Sequence, residues 1–261
     1  MAVKRLHIGG AMRSGTTLLA SLMGACFRFD YCPMGEVHLW VPAPPGRKRV
    51  CTKYPGDEIV ARHVLKRDSD LWFIYMLRDP RDVVVSFHGM DRSAYFTNLR
   101  HWKESYAAAR EMRTLPHFLE IRYEDLVTNP DTVQAQLQAK IPFLERTGAF
   151  SEWDGQGELG TQYTQAMRGG RKVDSSSIGA WRRHKGRLVA QMALHGDLSD
   201  ILIELGYEPD KTWLAELEGV EPDTRPGKVA DRISGGKAFR RKIREHLHAG
   251  VFMLRRATME R

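Results

Sequence analysis

The sequence predicts an α/β fold, a central parallel sheet flanked by helices on both faces. Three observations lead there. Short apolar runs alternate with segments of helical apolar spacing, the order expected when crossover helices join parallel strands. Residues 71–77 (LWFIYML) are apolar throughout, as a strand covered on both faces must be. A glycine-bearing loop lies between the first expected strand and the first expected helix, the arrangement that presents backbone N–H groups to an anion.

The elements follow in order. Residues 3–8 (VKRLHI) read as a strand entering the loop 9–15, and residues 16–26 (TTLLASLMGAC) place Leu18, Leu19, Leu22 and Met23 at helical spacing. A proline-rich loop at 42–49 precedes a strand over 49–54, and 57–66 reads as a helix. After the apolar strand, Asp79 and Pro80 supply an N-cap and a first-turn proline, so the next helix should carry Ser86 about two turns in. A helix is expected over 98–112, a strand over 118–122 and a helix over 131–140. Residues 154–180 are rich in Gly, Ser and Gln and read as a long mobile loop, and 188–206 hold one or two short helices. Residues 222–236 (PDTRPGKVADRISGG) are a linker by composition. They divide a body, 1–221, from a basic helix over 237–261 with Phe239, Ile243, Leu247, Val251 and Leu254 on one side.

Composition narrows the function classes. The 261 residues are 42% hydrophobic and 28% charged, ordinary globular usage that excludes collagen, coiled coil and wholesale disorder. No apolar run reaches membrane-spanning length, and the first residues lack the apolar core of a signal peptide. Three cysteines, Cys26, Cys32 and Cys51, form no C-x-x-C pair, so neither a disulfide framework nor a zinc knuckle is expected, and a cytoplasmic home is. The histidines show no metal-binding spacing, so no metal is expected, and His246 and His248 on the tail helix are expected in solvent. The net charge of +8 favours anionic partners. Basic and acidic residues alternate through the body, which speaks against nucleic acid. The tail alone holds eight Lys/Arg against Glu245 and Glu260, a net +6. It reads either as a helix docked on the core or on a second copy of the chain, or as a peripheral contact with an anionic membrane or acidic carrier.

The loop carries the chemistry. Gly10-Ala-Met-Arg-Ser-Gly15-Thr16-Thr17 has the glycine spacing of the P-loop G-x-x-x-x-G-K-[ST], with Thr16 where the lysine should stand. The apolar strand ends in Arg78 rather than in a magnesium-binding carboxylate. Such a P-loop-like turn suits a phosphate-like group without the triphosphate equipment, or simply links strand to helix.

Four segments together resemble the sulfotransferases that use 3′-phosphoadenosine 5′-phosphosulfate (PAPS). Arg13-Ser-Gly-Thr-Thr17 resembles their 5′-phosphosulfate loop, which implies contacts from Arg13, Ser14, Gly15, Thr16 and Thr17. Arg78-Asp-Pro-Arg-Asp-Val-Val-Val-Ser86 resembles the 3′-phosphate motif, with Arg78 and Ser86 as its contacts. Arg122-Tyr-Glu-Asp-Leu126 looks like the segment whose tyrosine, here Tyr123, lies near the adenine. Ser177-Ile-Gly-Ala-Trp181 is similar to the late Gly-x-Trp loop, which implies Ser176 and Ser177 as cofactor contacts. Leu205-Gly-Tyr207 resembles a common ending of the family core. The resemblance spans about residues 5–210 and points to the bacterial, carbohydrate and tyrosylprotein branches, in which an early Glu supplies the base.

The chemistry this implies is an in-line transfer to an acceptor hydroxyl on a carbohydrate, lipid or other small metabolite. It needs a proton acceptor and positive charge on the leaving phosphate oxygen. Glu36 is the expected base, with His38 its competitor; Arg13 and Lys53 are the expected positive groups. The sequence departs from the family at Met90, where some members carry a second Arg, though Arg92 is nearby, and at Cys51-Thr-Lys53-Tyr-Pro55, which lacks the His of the aryl and steroid branch. A small-molecule P-loop kinase and a non-catalytic nucleotide-binding adaptor are the rival readings. The expected lone alternatives for single residues are an ion pair of Arg78 with Asp79 or Asp82, and of Glu36 with the cluster at 47–49.

Overall fold

A computed structural model describes residues 2–33, 35–88, 91–155 and 173–259. Four strands form the central sheet: β1 (Lys4–Gly10), β2 (Arg49–Lys53), β3 (Leu71–Leu77) and β6 (Phe118–Arg122). They run in the order β2-β1-β3-β6, all pairs parallel, with Ile8 opposite Lys53 and Ile74, and Leu77 opposite Arg122. The strands β4 (Phe87–His88) and β5 (Asp91–Tyr95) make a separate antiparallel hairpin. The helices are α1 (Thr16–Cys26), α2 (Glu58–Val64), α3 (Pro80–Val84), α4 (Leu99–Arg110), α5 (Tyr123–Thr128), α6 (Pro130–Lys140), α7 (Lys185–His195), α8 (Ser199–Glu204) and α9 (Gly235–Met259).

Alternation along β3 divides the core, because successive side chains of a strand point to opposite faces. Phe73, Tyr75 and Leu77 pack with Val60, Trp102, Tyr106 and Phe252 on one face. Ile74 and Met76 pack with Leu6, Ile8, Leu22 and Leu137 on the other. Helices α2, α4 and α9 thus cover one side and α1 and α6 the other. The parallel direction brings the C-terminal ends of β1, β2, β3 and β6 to one edge, where ligands of open α/β sheets bind.

Two expectations about the elements are corrected. Helix α3 ends at Val84, so Ser86 follows the helix instead of standing inside it, and the chain turns at once into the β4–β5 hairpin. Three successive β-branched residues, Val83, Val84 and Val85, lose rotamer freedom in a helix and favour that early stop. The tail helix is present, but its docking side is not the expected one. Ala249 and Phe252 are buried against α2, while Phe239, Ile243, Leu247 and Leu254 are exposed. Of its histidines, His246 is exposed as expected, whereas His248 is half-buried. The His248 ring stacks on Trp40 at 3.8 Å, and His246 lies 4.6 Å from His63.

The stretch before α9 runs along the body with specific bonds. Asn98 donates to the carbonyls of Val229 and Ala230 (3.0 and 2.9 Å), Arg187 to that of Arg225 (3.1 Å), and Lys228 N–H to Tyr95 O (2.8 Å). Met90 and most of the expected 154–180 loop, residues 156–172, lie outside the described residues. Among the described residues no helix is long and apolar enough to cross a membrane.

One buried carboxylate sets the height of the glycine loop. Glu58, at the start of α2, accepts the Gly10 N–H at 3.0 Å and the Gly56 N–H at 3.1 Å. Full burial raises its pKa from 4.5 to about 7, even though hydrogen bonds from Ser105, its own N–H and the Gly10 N–H oppose the shift. The folded chain therefore holds the Glu58 proton up to about pH 7, whereas the unfolded chain releases it near 4.5, so this group's contribution to stability is complete below 4.5 and is lost between 4.5 and 7. The loss amounts to at most about 3 kcal/mol. Glu58→Gln keeps an acceptor oxygen and does not ionise. Over that window its melting temperature should hold steadier than the parent's; parallel slopes would show that Glu58 does not titrate there.

Candidate active site

The glycine loop is shaped by three left-handed or otherwise glycine-favouring positions: Gly10 (φ 144), Arg13 (φ 72) and Gly15 (φ 101). A Cβ on Gly10 would stand 2.7 Å from the Met76 carbonyl oxygen, and one on Gly15 would stand 2.5 Å from Cδ2 of Tyr123. The loop thus lies directly on the ends of β3 and β6. Arg13 is not a glycine, and its φ orients its guanidinium outward, where Nε donates to Ser86 Oγ at 2.9 Å. Its carbonyl oxygen accepts from Arg78 at 3.0 Å.

Arg78 emerges from the C-terminal end of β3 and is nearly buried. Its second NH2 group donates to the Ser177 carbonyl at 3.0 Å, and its guanidinium lies over the Tyr123 ring at 4.2 Å. The Tyr123 hydroxyl in turn meets Ser177 Oγ at 2.6 Å. The expected alternative for Arg78, a pairing with Asp79 or Asp82, is not what forms. Asp79 caps α3 and binds Arg81 at 2.7 Å, and Asp82 accepts the N–H groups of Gly179 (2.8 Å) and Trp181 (3.0 Å). Glu124 braces the same strand end. It accepts the Asp79 N–H and the Tyr207 hydroxyl, both at 3.0 Å. The Leu205-Gly-Tyr207 ending is therefore tied to the tyrosine segment and to the end of β3.

Opposite this wall stands Glu36. Its carboxylate, half exposed, accepts from Lys53 Nζ at 3.1 Å rather than from the arginines at 47–49. Lys53 ends β2, is almost wholly buried, and also donates to Thr17 Oγ1 at 3.0 Å. Burial pushes its ammonium below the usual lysine value, and neighbouring Glu36 pulls it back up. The segment carrying Glu36 is pinned from several sides. Val37 N–H donates to Lys53 O (3.0 Å), Leu39 N–H to Asp57 (2.6 Å), and buried Arg5 to the carbonyls of Leu39 and Val41 (2.7 and 2.9 Å). His38 turns away from Glu36. Its Nδ1 meets Asp57 at 2.9 Å, and its ring is stacked between Trp40 (3.9 Å) and Tyr54 (3.5 Å).

These groups border one cavity of about 450 Å³, within the range of small-molecule sites. Arg13, Gly15, Thr16, Thr17, Glu36, Arg78, Ser86, Tyr123, Ser176 and Ser177 all line it. Lys53 reaches it through Thr17 and Glu36. Ser14 does not belong to the lining. Its hydroxyl is buried beneath the loop and its N–H donates to Ala11 O at 3.1 Å, so the expected hydroxyl contact is corrected. Ser176 lines the wall with its hydroxyl turned to Asp174. Sequence reasoning missed Arg183 and His184, which enter the lining from the turn after Trp181, and gave no role to Arg92, which enters from β5. No local pattern marks Arg183 or His184. The cavity therefore presents four arginines and several hydroxyls, a donor set for phosphate or sulfate oxygens. Among the described residues no three His, Cys, Asp or Glu side chains gather as a metal set.

Residues 38–142 match the model of the sulfotransferase family. The matched stretch contains Lys53, Arg78, Ser86 and Tyr123 and stops short of Glu36 and the glycine loop. A sulfotransferase domain from the curacin biosynthetic pathway superposes with a TM-score of 0.51 at 18% identity, over 70% of this chain and 91% of that one, and so shares the fold. The sulfotransferase domain of the Synechococcus PCC 7002 olefin synthase gives 0.49 at 15%, covering 69% and 88%. A mouse sulfotransferase solved with PAP gives 0.44 at 16%, covering 77% and 88%. No curated protein matches the chain.

Gly15→Ala tests how tightly loop and wall are joined. The new Cβ meets Tyr123 as well as an unfavourable φ, whereas at Gly46 (φ 78) nothing lies within 4 Å. Gly15→Ala should lower the denaturation free energy by about 1–3 kcal/mol more than Gly46→Ala, measured by denaturant midpoint and slope. Equal losses would mean that the loop does not bear on Tyr123.

Proposed function

We propose that this chain, whose residues 38–142 match the sulfotransferase family model, is a sulfotransferase that moves a sulfuryl group from PAPS to an acceptor hydroxyl. One observation carries the reading: the Arg13–Ser86 bond joins the loop that suits a 5′-phosphosulfate to the β3 end that suits a 3′-phosphate. Residues far apart in sequence thus frame two anion positions with an aromatic ring, Tyr123, beside them.

The residues present fit such a donor. The N–H groups at the start of α1, the hydroxyls of Thr16 and Thr17 and the Arg13 guanidinium would hold the 5′ end. Arg78 and Ser86 would hold the 3′-phosphate, and the Tyr123 face would receive the adenine. When bound, PAPS supplies an electrophilic sulfur and a phosphate leaving group. The chain's own contribution is placement, proton transfer and charge. Glu36 takes the proton of the acceptor hydroxyl as its oxygen bonds to sulfur. Lys53, fixed between Glu36 and Thr17, places an ammonium beside the phosphate oxygen from which the sulfuryl group departs. The carboxylates that follow the end of β3, Asp79 and Asp82, are committed to Arg81 and to backbone N–H groups. The acceptor is a hydroxyl of a carbohydrate, lipid or other small metabolite, and three free cysteines suit a cytoplasmic setting.

Sulfate transfer from PAPS to a panel of hydroxylated acceptors, read by product mass, tests this directly. General-base removal costs about 10²–10⁴-fold in rate, so Glu36→Gln should fall by that much while PAP binding persists. His38→Ala should keep much more turnover, since its ring is engaged by Asp57, Trp40 and Tyr54. Normal turnover in Glu36→Gln together with a collapse in His38→Ala would assign the base to His38. No product from any acceptor would contradict the reaction class.

A further inference from the structure

Helix α9 has two apolar faces, and the body uses one. Its inner face carries Glu245, Ala249, Phe252 and Arg256. Phe252 and Ala249 are buried, Arg62 meets Glu245 at 3.2 Å, and Arg256 meets Asp68 at 2.6 Å. With 3.6 residues per turn, Phe239, Ile243, Leu247 and Leu254 fall in one row on the opposite side. They are 66%, 54%, 62% and 66% exposed. Among the described residues the next most exposed large hydrophobic is Leu194 at 44%. A row of this kind on an otherwise polar helix marks an interaction surface.

The charges select what covers it. Lys237, Arg240, Lys242 and Arg244 are exposed, and around the helix Arg240 and Arg244 flank the row on one side and Lys242 on the other. Glu245, the one carboxylate in residues 235–259, is turned inward to Arg62. The outer surface therefore combines large apolar side chains with cations and shows no carboxylate. A second copy of the same helix would set like charges against each other. Anionic headgroups above an acyl layer match both components.

We propose that the outer face of α9 is a docking surface for anionic phospholipid, with the helix lying in the plane of the interface and Phe239, Ile243, Leu247 and Leu254 inserted. The cations pair with headgroup phosphates on either side of the row. The body is carried with the helix, because Arg241 binds Glu104 at 2.8 Å and Arg255 binds the Trp40 carbonyl at 2.8 Å. Stacked rings continue from His248 through Trp40 and His38 to Tyr54, which lines the cavity, so the Glu36 side of the cavity is the side joined to the docked helix.

Co-sedimentation of the full chain with vesicles tests this without reference to sulfate transfer. The chain should bind vesicles of phosphatidylglycerol and phosphatidylcholine, leave pure phosphatidylcholine largely unbound, and release with added salt. Ile243→Ser combined with Leu247→Ser should weaken the binding about tenfold or more at an unchanged melting temperature, since both side chains are already exposed. Arg240→Glu combined with Lys242→Glu should also weaken it and serves if the serine pair unfolds. Absence of binding to the anionic vesicles overturns the proposal. So does binding that the serine pair leaves intact, which would be diffuse electrostatic attraction. A dimer that the serine pair dissociates overturns it as well, by showing that a second copy covers the row.

Discussion

The site depends on the backbone of Arg13. A non-glycine residue at φ 72 costs free energy, of the order of 1–3 kcal/mol, and persists where the surroundings fix it. Here they do. The turn at Arg13 sends its side chain to Ser86 and leaves its carbonyl facing Arg78. Arg78 passes the connection to the Ser177 carbonyl and to the face of Tyr123, and the Tyr123 hydroxyl closes it on Ser177. Segments separated by many residues are thereby held at fixed spacing before any ligand arrives, which is what phosphate-directed catalysis needs from a protein.

A second constraint supports the first. Two carboxylates at the start of α2 act on backbone instead of on substrate. Glu58 holds the N–H groups of Gly10 and Gly56, and Asp57 holds Leu39 N–H together with His7 and His38. The glycine loop and the segment that carries Glu36 are thus registered against the same short helix. Asp57 keeps its carboxyl below the usual range, with hydrogen bonds from the His38 and His7 rings and the Leu39 N–H outweighing its burial, whereas burial wins over the hydrogen bonds at Glu58 and raises it. Neighbouring acids in one turn therefore differ in charge because of what lies beside each.

The sheet was legible because its signals are local. The apolar run of β3 and the glycine spacing after β1 depend on adjacent residues alone, and both stand where the sequence placed them. The convergence of Arg13, Arg78, Ser86, Tyr123 and Ser177 on one wall was readable from motif order. The misreadings arose where tertiary contact decides. Ser14 fits a phosphate loop by type, but the close approach of β3 turns its hydroxyl inward, near enough that a Cβ on Gly10 would stand 2.7 Å from it. The tail has two apolar stripes of similar strength, and only the position of α2 determines that Ala249 and Phe252 are the ones buried. The partner of His248 is Trp40, from the other end of the chain, for which no spacing rule exists. The valines that end α3 carry a local signal for the early stop, since β-branched residues lose rotamer freedom in a helix.

If the Arg13–Ser86–Arg78 junction frames two phosphate positions, the thermal shift given by PAP is the most direct measurement of it. A ligand at about 100 times its dissociation constant stabilises by about 2.7 kcal/mol. PAP should raise the melting temperature accordingly, ATP with magnesium should raise it much less, and Arg78→Ala should remove most of the difference by deleting the charge-assisted contact to the 3′-phosphate. Equal shifts from PAP and ATP, or a preference for PAP that survives Arg78→Ala, would contradict the assignment.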